Sequence, residues 1–100
     1  MMNESDITKS ILKYLKTLPR CFFWKEHGGI YGTSGIPDII VCIDGRFIAL
    51  EVKTQKGKTT PLQNVAIRKI RNSGGFAFVV RSVEEAKNAI DSSTGGKNDS

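Results

Sequence analysis

The chain has 100 residues, 39% hydrophobic and 25% charged, with a net charge of +5 and a sequence pI near 9.4. That is the size of one domain with one modest core, and the basic balance favours a polyanionic partner. No apolar run approaches the ~18 residues that would span a bilayer, and no signal-peptide pattern opens the chain, so a cytoplasmic protein without a membrane partner is expected. Cys21 and Cys42 are the only cysteines. They form no C-x-x-C pair and have no His cluster beside them, which argues against zinc. Cys42 lies in an apolar run and is expected as a buried free thiol.

Residues 3–18 read as a helix, with Ile7, Ile11, Leu12, Leu15 and Leu18 forming an apolar stripe. Asn3 is a plausible N-cap, and Glu4 and Asp6 suit the positive end of the helix dipole. Only one of these acids can face the interior, because they lie about 200° apart around the helix. Glu4 is in phase with the buried stripe. Leu18-Pro19 is expected to stop the helix. Residues 20–26, with Phe22, Phe23 and Trp24, have the composition of a strand. Residues 27–36 are rich in Gly and Ser around Tyr31, and read as a loop whose aromatic ring suits stacking on an exposed base.

Residues 35–53 carry the strongest signal. Two apolar runs flank Asp44-Gly45, a pair suited to a two-residue type I′ hairpin. That turn sets Ile43 opposite Arg46, Cys42 opposite Phe47, Ile40 opposite Ala49, and Asp38 opposite Glu51. Opposed residues share a face roughly 5 Å apart, and Lys53 follows on that face about 6–7 Å along the strand. Two carboxylates held so close repel by roughly 3 kcal/mol at an effective dielectric of 20. A divalent cation would reverse that sign, and a cation beside a Lys is equipment for hydrolysing phosphate esters. Taken singly, each residue has a bland role: Asp38 in a turn after Pro37, Glu51 and Lys53 on a solvated strand face.

Residues 54–60 form a loop containing Lys56 and Lys58, suited to touching phosphates. Thr60-Pro61-Leu62-Gln63 opens a helix, with Thr60 and Gln63 as a capping box. Gln63 is also placed to reach the reacting groups, and it need not do only one of these. Leu62, Val65, Ala66 and Ile70 supply a packing stripe, while Arg68, Lys69 and Arg71 decorate the exposed side and can track a nucleic-acid backbone. Ser73-Gly74-Gly75 ends this helix. Residues 76–80 are a continuous apolar run, expected as a buried strand parallel to the one that carries Glu51. Ser82 and Glu85 form a second capping-box pattern opening a helix to about Ile90. Residues 92–100 read as a disordered tail, leaving 1–91 as a single domain.

The combination Gly-Ile-Pro-Asp38, Glu51-Val-Lys53 and Gln63 resembles the PD-(D/E)-x-K nuclease superfamily, and within it the short stand-alone form of the VRR-NUC family, found in phages and bacteria. The resemblance covers residues 4–90. It implies an α/β, restriction-endonuclease-like core of order α-β-β-β-α-β-α, with a mixed central sheet flanked by helices. Asp38 and Glu51 would hold Mg²⁺ or Mn²⁺ with the Val52 backbone carbonyl, Lys53 would orient the attacking water, Gln63 would support the site, and Glu4 matches the family's acid on the first helix. Such a chain would hydrolyse DNA phosphodiesters. Flaps or four-way junctions would be its preferred substrates, and a homodimer would present two sites. A catalytically silent DNA-binding module, or a subunit of a larger DNA-processing complex, is the alternative from another class. A sequence-specific restriction enzyme is disfavoured because no insertion is large enough for a recognition element.

Overall fold

The computed structural model describes residues 2–27 and 35–95. Tyr31 and most of the Gly-rich loop lie outside these residues, as does the end of the expected tail. The element order is α1 (Glu4–Leu15), β1 (Cys21–Lys25), β2 (Ile39–Ile43), β3 (Arg46–Val52), α2 (Pro61–Asn72), β4 (Phe76–Val80) and α3 (Val83–Ser93). The strands form one sheet in the order β1-β2-β3-β4. The first three are antiparallel neighbours, and β4 runs parallel to β3 through the α2 crossover.

The β2–β3 hairpin has the expected register from Ile43–Arg46 out to Ile39–Leu50. Asp44 and Gly45 both have positive φ, 51° and 78°, as a type I′ turn requires. Arg20, also at positive φ, donates from Nε to the Asp44 carboxylate and ties the turn to the start of β1.

Alternation along the strands gives the sheet two buried faces. Ile39, Val41, Ile43, Ile48, Leu50, Val52 and Val80 meet Ile7, Ile11 and Leu15 of α1 and Ala86, Ala89 and Ile90 of α3. Ile40, Ala49 and Ala77 meet Ile67 of α2, with Ile36, Ile70 and Val79 packed around them. Strands covered on both faces read as continuous apolar runs, as β2 and β4 do.

Several local expectations need correction. α1 ends at Leu15, not Leu18. Leu18 precedes a proline and is biased away from helical geometry, so the chain tightens earlier into i→i+3 bonds, Thr17 N–H to Tyr14 and Leu18 N–H to Leu15. Cys42 is exposed, because α2 does not extend over that part of the sheet. α3 runs to Ser93, which is buried and donates its hydroxyl to the Ala89 carbonyl at 2.8 Å, so the boundary drawn after residue 91 falls inside the helix. The second capping box is only half made. Ser82 accepts from Glu85 N–H, but the Glu85 carboxylate accepts from Arg81 N–H, one residue before the cap.

Gly35 fixes the entry to β2. Its φ is +84°, and a Cβ there would stand 2.5 Å from the Leu62 carbonyl oxygen at the start of α2. Gly45 also has positive φ, but a Cβ there meets nothing. Gly35→Ala therefore combines strain with a backbone clash and is expected to cost roughly 2–4 kcal/mol, while Gly45→Ala carries strain alone, about 1 kcal/mol. Urea denaturation checks this, and equal losses would contradict the packing of Gly35 against α2.

Candidate active site

Asp38 and Glu51 meet where β2 and β3 end, away from the hairpin turn. The regular ladder stops at Ile39–Leu50, and Asp38 takes the next position as a bend. Its backbone still belongs to the sheet, since the Asp38 carbonyl accepts from Glu26 N–H at 2.7 Å. Its side chain replaces the missing ladder bond: Oδ2 accepts from Val52 N–H at 2.7 Å. Asp38 is thereby clamped across β3, with Oδ2 committed to the backbone.

Glu51 follows Phe47 and Ala49 on the α2 face of the sheet and is only 2% exposed. Its Oε2 accepts from Gln63 Nε2 at 3.1 Å and lies 3.8 Å from Lys53 Nζ. Its Oε1 is buried with no hydrogen-bond partner, the only such side-chain atom among the described residues. Burial, the Asp38 charge and the hydrogen bond that a protonated Glu51 makes to Asp38 together push its pKa up to about 8. Lys53 pulls the other way, and Glu4 adds the smallest upward contribution.

Gln63 holds two roles with one amide. Its Oε1 accepts from Thr60 N–H at 2.9 Å, and its own N–H donates to Thr60 Oγ1 at 3.2 Å, completing the capping box. With the amide oxygen occupied by the cap, the NH₂ end is turned towards Glu51. The helix start therefore fixes which Glu51 oxygen is saturated and which is left bare.

The loop after Lys53 is held from below by Arg81, the residue following β4. Its Nη1 donates to the carbonyls of Thr54, Gln55 and Gly57. Lys56 and Lys58 project from this loop and are exposed, as is Arg68 on α2. Arg81 was not found from the sequence, because its bonds run to carbonyls 24–27 residues away and leave no local trace. Glu26 was also missed. It stands beside Asp38 and accepts at 3.0 Å from the Trp24 indole N–H. Its only sequence signal is the alternation Phe22, Trp24, Glu26, which carries the period of β1 one residue past its end.

Glu4 is exposed in the first turn of α1, a helix that packs on the opposite face of the sheet from α2. Its charge is felt at Glu51, but the described residues include no cluster of three or more His, Cys, Asp or Glu with metal-ligand spacing. A cation here would rest on a set containing Asp38, Glu51 and backbone or water oxygens. That composition suits Mg²⁺ or Mn²⁺, which keep several waters, better than a softer metal. The bare, buried Glu51 Oε1 and the two adjacent carboxylates fit such an ion. No helix among the described residues is long and apolar enough to cross a membrane.

The family model for the VRR-NUC domain matches residues 6–84. A solved structure described as a VRR_NUC domain protein superposes with a TM-score of 0.79 at 17% identity, covering 94% of this chain and 89% of that one. A second, described as a VRR_NUC domain, superposes with a TM-score of 0.74 at 26% identity, covering 90% of this chain and 96% of that one. No curated protein matches the chain.

The raised Glu51 pKa fixes the sign of a stability effect. Glu51 keeps its proton in the folded chain up to about pH 8 and in the unfolded chain only to its usual range. Between those values the folded state binds more protons, so the Glu51 contribution is full at acid pH and is lost as pH rises towards 8. In chelator, the midpoint of thermal unfolding is expected to fall by roughly 5 °C or more between about pH 5 and pH 8.5. The fall should be clearly smaller in Glu51→Gln. Mg²⁺ or Mn²⁺ should raise the midpoint chiefly at the alkaline end, where protons no longer compete. Identical pH dependence in the two proteins would contradict the placement of Glu51.

Proposed function

The chain belongs to the VRR-NUC domain family, a family of nucleases, and from that premise we propose that it hydrolyses DNA phosphodiester bonds with Mg²⁺ or Mn²⁺ at Asp38, Glu51 and Lys53. The observation that carries this reading is the buried Glu51 carboxylate with one unpartnered oxygen, set beside Asp38 and Lys53. A structural carboxylate would have both oxygens paired. A titration raised by burial and by a neighbouring carboxylate supports a functional reading of such a cluster.

Asp38, Glu51 and the Val52 backbone carbonyl would hold the cation, with Glu4 as a more distant acid. When bound, the cation supplies charge stabilisation and a more acidic water. The residues of the chain do the rest. Gln63 holds Glu51 in one orientation, and Asp38 is fixed by Val52 N–H, so both carboxylates are set before substrate arrives. Lys53 is nearly buried and carries its ammonium to the Glu51 carboxylate. From there it orients the attacking water and offsets the negative charge that grows on the phosphoryl oxygens. A bond forms from the water oxygen to phosphorus as the in-line ester P–O bond breaks. The water loses a proton and the leaving oxygen gains one.

Lys56 and Lys58, on the loop that Arg81 holds in shape, and Arg68 on α2 are the proposed contacts to the DNA backbone. Tyr31 is the proposed base contact from the loop between β1 and β2. Flaps or four-way junctions are the proposed substrates, and a homodimer would present two sites to a junction. A catalytically silent DNA-binding module lacks support from the site, since backbone binding has no use for a bare buried carboxylate.

Supercoiled, flap and four-way-junction DNA, each with Mg²⁺, Mn²⁺ or chelator, test this directly. Metal-dependent cleavage is expected. It should fall at least about 100-fold in Glu51→Ala and Lys53→Ala, and roughly 10–100-fold in Gln63→Ala. Binding without metal-dependent cleavage would establish the silent module instead. Cleavage indifferent to Glu51→Ala and Lys53→Ala would place the chemistry elsewhere.

A further inference from the structure

The α2 face of the sheet is only half covered. α2 packs on Ile40, Ala49 and Ala77. Towards β1 and the hairpin turn, Phe22 is 69% exposed, Trp24 44% and Phe47 44%. The strand register puts these rings in rows with the active site. Phe22, Cys42 and Phe47 form one row, and Trp24, Ile40 and Ala49 form the next. Asp38, just before β2, lies at the following step, its carbonyl bonded to the N–H of Glu26 just past β1, with Glu51 of β3 one position beyond the last regular pair, Ile39–Leu50. Trp24 is thus one row from the carboxylates, and Phe47 is four residues from Glu51, about 13 Å along the strand.

Phe22 and Trp24 stand with centroids 6.0 Å apart and planes tilted by 54°, and Glu26 holds the indole N–H. Phe47 lines a cavity of about 350 Å³ together with Lys69, Ile70, Ser73 and Gly75. No acid lines that cavity, and exposed Lys69 supplies a cation to its lining. A surface of partly exposed aromatic rings, with Lys69 at the Phe47 end and Trp24 one row from the proposed phosphodiester-cleaving centre, has the chemistry of a single-strand platform on which unpaired bases stack.

We propose that Phe22, Trp24 and Phe47 form a stacking platform for unpaired bases, which holds a single-stranded stretch of DNA along the sheet towards Asp38 and Glu51. The proposal rests on the nuclease reading for its direction, but not for the binding itself. Duplex DNA keeps its bases stacked internally and has no faces to offer these rings, so the platform selects substrates that carry unpaired nucleotides.

Trp24 is the sole tryptophan, so indole fluorescence reports from the platform itself. The full chain is titrated in chelator with an oligo(dT) of roughly 10 nucleotides, with a duplex of equal length, and with an abasic strand. Quenching by oligo(dT) is expected, with much less from the duplex and the abasic strand. Phe22→Ala and Phe47→Ala should each weaken oligo(dT) binding about tenfold, and Phe22→Tyr should restore it. Phe22 is largely exposed and Phe47 about half exposed, so at most a small loss of thermal stability is expected in the variants, and it is measured alongside. Absence of quenching, equal quenching by the abasic strand, or affinity indifferent to both alanine variants would overturn the platform. Branched DNA cut normally by a protein that shows no quenching would remove the platform and leave the nuclease reading intact. Quenching without metal-dependent cleavage would do the reverse. Trp24 emission that shifts with protein concentration alone, with a sedimenting dimer that Phe22→Ala dissociates, would assign this face to a second copy of the chain and overturn the proposal.

Discussion

Everything in this molecule turns on one carboxylate taken out of water with one of its oxygens left bare. Glu51 sits on a sheet face, walled by its own strand and by α2, with Asp38 across the hairpin. Burying an ion costs several kcal/mol unless it is paired, and a second carboxylate nearby adds to the cost. Gln63 and Lys53 offset part of this at Oε2. Nothing among the described residues does so at Oε1. The group therefore holds a proton well above the usual carboxylate range. Under the proposed function a cation would take the place of that proton, which would link the folding energetics of the domain to its chemistry.

The surrounding structure holds that carboxylate in place at several independent points. The Asp44-Gly45 turn sets the register that brings Asp38 level with Glu51. Gly35 lets the chain enter β2 hard against the first turn of α2. The Thr60 cap turns the Gln63 amide so that its NH₂ reaches the acid. Arg81 gathers three carbonyls of the loop after Lys53, so the motif's last residue and the lysines beyond it leave the sheet on a defined path. Each device is local, yet all converge on the end of β3. The opposite face of the sheet, packed by α1 and α3, holds the larger hydrophobic core.

Much of this was legible in the sequence, for physical reasons that differ by residue. A two-residue turn leaves no freedom of register, so counting from Asp44-Gly45 was enough to bring Asp38 and Glu51 together. A Thr-Pro-x-Gln start is specific enough to place Gln63 at the third helical position just past Glu-x-Lys. Where the reading went wrong, the deciding contact was distant or covering was incomplete. Cys42 has the alternation of a buried residue, but no helix reaches over it. The helix end at Leu15 depends on a turn that forms three residues before the proline that causes it. Glu85 turned to Arg81 N–H, an alternative that a capping pattern does not distinguish. Arg81 itself could not be read, since a long-range donor to loop carbonyls has no sequence period.

The open half of the α2 face follows from the same layout. A single crossover helix covers β3 and β4 and leaves the aromatic rows of β1 and the hairpin turn beside the carboxylates rather than beneath a helix. The central claim remains the state of Glu51, and ¹³C-carboxyl NMR of the labelled side chain reads it without reference to any substrate. In chelator its resonance is expected to titrate near pH 8, and with saturating Mg²⁺ to stay that of the ionised form from about pH 6 upward. A single titration near pH 4.5 that ignores Mg²⁺ would show an ordinary solvated acid and contradict the site built around it.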